Sequence, residues 1–132
     1  MSMFPYIFKL SRRIPGFSRV LKLLYKCDIP RRTNIGAGTR FGHDGFGVVI
    51  HPNTVIEENV FIQHHVTTGV RRTGDGCPII KNGASIGAYV IILGPVTIGE
   101  NSTIGAGTLV THDVPPNVIY TNKREIMIKE KE

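Results

Sequence analysis

Only two cysteines, Cys27 and Cys77, occur among the 132 residues, and no apolar segment followed by a small-residue cleavage site opens the chain. A secreted fold stapled by disulfides is therefore disfavoured, and a reduced, cytosolic protein is expected. Long apolar runs are missing too. The longest, such as "YVIIL" at 89 to 93, fall far short of the roughly 20 residues that a membrane-spanning helix needs. Acidic residues are scarce at one end only. Residues 1 to 32 carry Lys9, Arg12, Arg13, Arg19, Lys22, Lys26, Arg31 and Arg32 against Asp28 alone, while the rest is nearly balanced, so the net charge of +6 is local. A nucleic-acid-binding face spread over the whole domain is excluded on that pattern, and a special role for the N-terminus is indicated. At this length one domain with one core is expected.

What is present is a rhythm. From residue 80 the chain reads "IKNGAS IGAYVI ILGPVT IGENST IGAGTL VTHDVP", with Ile80, Ile86, Ile92, Ile98, Ile104 and Val110 six apart. Four residues after each stand Ala84, Val90, Val96, Ser102, Thr108 and Val114, all small or β-branched. The same grammar appears earlier as "IHPNTV IEENVF IQHHVT" and, more loosely, as "IGAGTR FGHDGF", which makes eleven hexads. A period of six matches neither the 3.6 of a helix nor the alternation of a half-buried strand. It matches a three-sided solenoid of short flat strands, one aliphatic side chain per side pointing to the axis and small residues at the corners. Nearly four coils are expected.

Three segments fall outside the repeat. Residues 1–27 form a basic amphipathic cap, with Phe17, Val20, Leu21 and Leu24 on one face of a helix at 17–26. The cap either covers the open hydrophobic end of the solenoid or rests on anionic headgroups at the inner face of a membrane, two compatible roles. Residues 69–78, "GVRRTGDGCP", form a projecting loop inside the repeat domain 28–116. Residues 117–132 form a polar tail.

Between Phe41 and Ile50 the rhythm slips by about three residues, just after His43. An imidazole next to Gly42 there sits beside backbone that a ligand can approach closely. Asp28 lies fifteen residues earlier, which for a coil of about eighteen residues returns it to a neighbouring edge, within reach of the ring. A carboxylate so placed fixes the tautomer of a general base and stabilises its imidazolium. The alternative is a surface-loop histidine with an acidic neighbour by coincidence.

The stretch "CDIPRRTNIGAGTRFGHDGFGVVI" resembles the opening of the β-helix domain of serine acetyltransferases, where a "DIHP" segment leads to "DHATGIVVGE". Aligned without gaps, Asp28 falls on the family's catalytic Asp, His43 on its catalytic His and Val48-Val49 on its paired valines. The likeness continues through "VTTG", "IGAYVIILGPVTIG" and "IGAGTLV" to "VPP", about ninety residues in all. It implies a left-handed parallel β-helix, acetyl-CoA as donor, a hydroxyl as acceptor, no metal, and a homotrimer with active sites between subunits. It also implies coenzyme contacts at the turns that match Gly69, Ala88 and Ala106.

The chain departs from that family where the acceptor is held. Gly42 replaces an Asp and Gly76-Cys77 replaces an Arg-His pair, so Gly42, Asp44 and Cys77 become the acceptor-side positions while most of the grip on serine is lost. A hydroxyl on a cell-envelope or capsule sugar is therefore the expected acceptor, with free serine the alternative. Arg71, Arg72, Lys123 and Arg124 are candidates for the coenzyme's phosphates. Adjacent residues of a strand point to opposite sides, so one of His64 and His65 is expected to face the groove between subunits and the other solvent. Two further readings remain. A γ-class carbonic anhydrase needs a His-x4-His pair that the five histidines do not form, and a non-catalytic trimeric scaffold would have no use for the pair Asp28 and His43.

Overall fold

The computed structural model describes residues 3–122 and 128–130. Two helices lead into a coil of two- and three-residue strands. Every strand pairing is parallel, in three sheets that form the sides of a prism. One side joins β1 (Asn34–Ile35), β3 (Val55–Ile56), β6 (Ile79–Ile80) and β9 (Thr97–Ile98). The second joins β2 (Arg40–Phe41), β4 (Phe61–Ile62), β7 (Ser85–Ile86), β10 (Thr103–Ile104) and β12 (Ile119–Tyr120). The third joins β5 (Thr67–Gly69), β8 (Ile91–Leu93) and β11 (Leu109–Val110). Asp28 and Val49 extend that third side toward the N-terminus as single bridges.

The six-residue rhythm is the packing rule of this prism. Ile50, Ile56, Ile62, Ile80, Ile86, Ile92, Ile98, Ile104 and Val110 are all buried, and so are the small residues four positions on, from Thr54 and Val60 to Thr108 and Val114. Each side chain stacks on its counterpart in the next coil, so Ile62, Ile86 and Ile104 lie in one register. The interior is thus a column of aliphatic rungs, and each short strand owes its stability to the rungs above and below.

Register also measures the interruptions. Ile86 pairs with Ile104 eighteen residues on, the undisturbed coil. Phe41 pairs with Ile62 twenty-one residues on, and Ile62 with Ile86 twenty-four. The three extra residues of the first coil are taken up in the four-residue turn Gly42–Gly45 at the corner after β2. The six extra residues of the second are the projecting loop after β5.

Over the open N-terminal end, the sequence reading placed one helix; there are two, α1 (Phe4–Arg13) and α2 (Ser18–Tyr25). Pro5 sits in the first turn of α1, where its missing N–H costs nothing, and Arg12 and Arg13 favour the last turn. Phe4 and Leu21 are buried, and Phe4, Phe8, Tyr25 and Phe41 interlock as an aromatic lid over the first coil. Arg12 fastens α1 by donating to the carbonyls of Pro30 and Thr33. Leu23 and Leu24 of α2 and Tyr6 and Leu10 of α1 remain exposed. No helix among the described residues is long and apolar enough to cross a membrane.

At the other end the coil runs past the two prolines, because β12 pairs with β10. Asn122 then closes the free edge of β11, its side chain accepting from the Leu109 amide at 2.7 Å and donating to the Leu109 carbonyl at 3.2 Å. Lys123 and Arg124 lie outside the described residues.

Candidate active site

The inserted turn holds His43 and Asp44 in consecutive left-handed conformations, φ 48° and 57°. For residues with a Cβ this costs about 1 kcal/mol each and persists only where the surroundings enforce it, as at functional sites. The surroundings here are tight. Gly45 (φ +65°) is buried with the Phe4 ring where a side chain would go, and Gly47 (φ +70°) faces the His65 ring in the same way. The helical lid thus packs against the turn from one side and the next coil from the other, and His43 itself is left exposed.

Adding the register of twenty-one to position 43 leads to His64, and the two rings do meet. Their centroids are 4.7 Å apart and the planes cross edge to face. His64 continues the contact to His65 and Tyr89, which stack nearly parallel at 4.6 Å. His43, Asp44, Phe46 and His64 line a hollow of about 480 Å³. A strand alternation was expected to send His64 and His65 to opposite sides. Both instead lie in the turn after β4, with His65 at φ 55°, so alternation does not apply.

The same corner continues up the prism. His65 donates its amide to the Phe46 carbonyl, Tyr89 to that of His64 and Gly107 to that of Ala88, at 2.9, 3.1 and 2.8 Å. The turns holding Ala88 and Ala106 therefore stand in one column with His43. The amide of Ala88 has no hydrogen-bond partner among the described residues. Gly69 does not join that column. It ends β5 and its carbonyl accepts from Gly94, at the next corner of the prism.

Asp28 lies on the strand edge beside the segment that leaves the turn, its amide bonded to Val48 at 2.8 Å and its carbonyl to Ile50 at 2.9 Å. Its carboxylate is taken by Lys22 of α2 at 2.7 Å, and no hydrogen bond joins it to His43. Asp28 is thus bonded to residues 48 and 50, past the turn that holds His43, with its carboxylate turned to the helix.

Cys77 belongs to the other corner. Its sulfur is 3.0 Å from Nδ1 of His51, a partner twenty-six residues away that sequence proximity conceals. The same Nδ1 accepts from the Asn53 amide at 3.2 Å, which makes the thiol the donor to it. Burial raises the ionisation of Cys77 above its ordinary range, so this is a neutral contact and not a thiolate nucleophile. Among the described residues no group of three or more His, Cys, Asp or Glu side chains is arranged to hold a metal ion. A separate hollow of about 660 Å³ lies on another side among Glu57, Lys81, Glu100 and Asp113. None of the candidate residues lines it.

Residues 77–112 match the pattern of the bacterial transferase hexapeptide family (six repeats). A putative colanic acid biosynthesis acetyltransferase of Escherichia coli K12 is 44% identical over 89 residues, covering 66% of this chain and 55% of that protein. Serine acetyltransferase 2 of Arabidopsis thaliana is 39% identical over 111 residues, 83% of this chain and 34% of that one. Among solved structures, soybean serine acetyltransferase complexed with serine superposes with a TM-score of 0.76 at 36% identity, over 91% of this chain and 51% of that chain. Serine acetyltransferase of Brucella abortus in complex with coenzyme A gives 0.77 at 29%, over 98% and 53%. The chain therefore spans between a third and just over half the length of these relatives. With all-parallel sides, about four turns and these superpositions, the coil is the left-handed β-helix. The chain belongs to the hexapeptide-repeat family of left-handed β-helix transferases, in its serine acetyltransferase-like branch.

Proposed function

We propose that this chain is an acetyl-CoA-dependent O-acetyltransferase whose acceptor is a hydroxyl of a cell-envelope or capsule sugar. The observation that carries the reading is His43. It is an exposed imidazole held in a strained, inserted turn at the mouth of a hollow, in one column with the turns of Ala88 and Ala106. The relatives support the class of reaction, and the Escherichia coli relative, described as acting in colanic acid biosynthesis, supports a glycan acceptor.

In this mechanism a ring nitrogen of His43 takes the proton from the acceptor hydroxyl as that oxygen bonds to the thioester carbonyl carbon. The tetrahedral intermediate then expels the coenzyme thiolate, and the His43 imidazolium returns the proton to that sulfur. The products are the acetyl ester and the free thiol of coenzyme A. The open amide of Ala88 fits a pantetheine carbonyl, with Ala106 supplying the next turn along the column. Asp28 assists by releasing Lys22 and turning to His43 when the site is filled. Gly42, Asp44 and Phe46 border the acceptor. Cys77 and Gly69 stand at the next corner, which is the place for a neighbouring subunit's contribution in a trimer.

A trimer is supported by an apolar stripe. Phe46, Val49, Tyr89, Ile91 and Leu109 are each at least 40% exposed, and all lie on or beside the third side of the prism. The exposed Tyr6, Leu10, Leu23 and Leu24 among basic residues of the lid support a peripheral site at the inner membrane face, beside lipid-linked sugars. Vesicle flotation with and without anionic lipid tests that contact.

The serine reading has its own support in the serine-bound soybean neighbour. A screen of nucleotide sugars, methyl glycosides, lipid-linked sugars and serine, read by release of coenzyme thiol, separates the two. Robust turnover of serine alone overturns the sugar assignment. Undiminished turnover in a folded His43→Ala protein overturns the general base.

A further inference from the structure

His64 plays no part in the mechanism above, yet its two ring nitrogens are in very different places. Nδ1 is sealed from solvent and has no hydrogen-bond partner among the described residues. Nε2 is not sealed, and the ring lines the hollow it shares with His43, Asp44 and Phe46. A buried N–H with no acceptor is rarer and costlier than a buried lone pair with no donor. The neutral ring therefore carries its proton on Nε2 and leaves Nδ1 bare. His64 presents an N–H donor to the same hollow in which His43, acting as base, presents a lone pair.

Two opposite hydrogen-bonding roles on rings 4.7 Å apart suit a molecule with adjacent oxygens. One hydroxyl gives up its proton to His43, and a neighbouring oxygen accepts from His64. Phe46, 44% exposed, offers an apolar wall of the kind that packs against the C–H face of a pyranose. A hollow of about 480 Å³ is in the size range of small-ligand sites. We infer that His64 grips the acceptor through a neutral Nε2–H, and that the acceptor is a polyol ring carrying an oxygen next to the reacting hydroxyl. This inference rests on the acetyl-transfer reading for its substrate.

The test has two arms. Long-range proton–nitrogen correlation spectra of the ¹⁵N-labelled protein at neutral pH, with His64→Gln identifying the resonances, read the tautomer without any turnover. Protonation on Nε2 is expected, and protonation on Nδ1 overturns the inference. In kinetics with acetyl-CoA and the methyl glycosides of glucose, galactose and N-acetylglucosamine, His64→Phe keeps a ring but loses the N–H. It should raise the glycoside KM by about tenfold or more and leave the acetyl-CoA KM within about twofold. His64→Gln, which keeps a donor, should recover most of the loss, a rescue that mere packing would not give. Equal glycoside KM in His64→Phe and the unaltered protein overturns the grip. If neither these glycosides nor the nucleotide and lipid-linked sugars are acetylated, the sugar-acceptor reading fails on its own. His64 is then judged by glycoside titration of its Nε2 resonance, where a saturable shift upholds binding and an unmoved signal refutes it.

Discussion

Nζ of Lys22 stands 2.7 Å from Oδ2 of Asp28, joining the second helix of the lid to the strand edge beside the His43 turn. Both side chains are about half exposed or more, so the pair sits in high dielectric and contributes roughly 0–1 kcal/mol. Lys22→Met should leave the thermal midpoint within a few degrees of the unaltered protein. Asp28→Asn should likewise stay folded yet lose about ten- to a hundredfold in acetyl transfer, the loss that follows from the proposed role of its carboxylate in steadying the imidazolium. Thermal scans alongside thiol-release assays separate these effects. Full activity in Asp28→Asn would assign the orientation of His43 to some other group.

The column of aliphatic rungs makes a sharper energetic claim. Ile86 is fully buried between Ile62 and Ile104, and its truncation leaves a hole that neighbouring coils cannot close without shifting their own ladders. Ile86→Ala should cost about 2–5 kcal/mol in denaturant unfolding. Ile119, 82% exposed in β12, should tolerate alanine within about 0.5 kcal/mol. Equal costs at the two positions would contradict the rung picture.

Those rungs are also what the sequence displayed most openly. Inward positions recur every six residues because a flat strand and a corner consume six, and each inward residue must be aliphatic while its corner companion must be small. The slip after Phe41 was legible for the same reason, since a three-residue surplus has no place in a side of the prism. The Ile62–Ile86 register likewise reflects the loop at 69–78. Contacts between coils were harder. Position 43 reaches 64 only once the surplus is added to the coil length, and the strand rule misled at His64 and His65 because the strand ends at Ile62. The Cys77–His51 contact and the Lys22–Asp28 pair depend on how a loop and a helix fold back, which no spacing encodes. Helix α1 escaped notice because its buried face uses Phe4 and the small polar Ser11, a weak apolar signal.

The thiols give a pH-dependent test. Burial holds Cys27 up from 9.0 to about 11, and the sulfur sits 3.8 Å from the Leu21 carbonyl. Unfolded, the thiol ionises near 9, while the folded protein keeps it protonated, so this residue's stabilising contribution is complete below pH 9. It declines as pH rises and is lost by about 11, by roughly 2–3 kcal/mol in all. The difference in unfolding free energy between the native protein and Cys27→Ala should shrink across that window. Disulfide-exchange labelling at pH 8 should modify Cys77 first and Cys27 only on unfolding, since Cys27 is 1% exposed. Prompt labelling of Cys27 would place it outside the core.

The apolar stripe sets the last expectation. Val49, Thr67, Ile91 and Leu109 follow one another in register on the third side of the prism, pointing outward, because their neighbours Ile50, Thr68, Ile92 and Val110 point inward. A monomer gains nothing from three aliphatic side chains on one such exposed ladder, whereas a subunit interface buries them at about 25 cal/mol per Å². A charge placed in the middle of that contact has to be desolvated without a partner, which costs far more than the lost leucine area. Leu109→Glu should therefore shift the mass seen by light scattering from three chains toward one. The coil should survive, because position 109 contributes nothing to the interior. Acetyl transfer should fall together with the assembled fraction as protein is diluted, if the corner turns of His43, Ala88 and Ala106 form the proposed site between subunits. A fully active, stably single-chain Leu109→Glu protein would show that each subunit completes its own site.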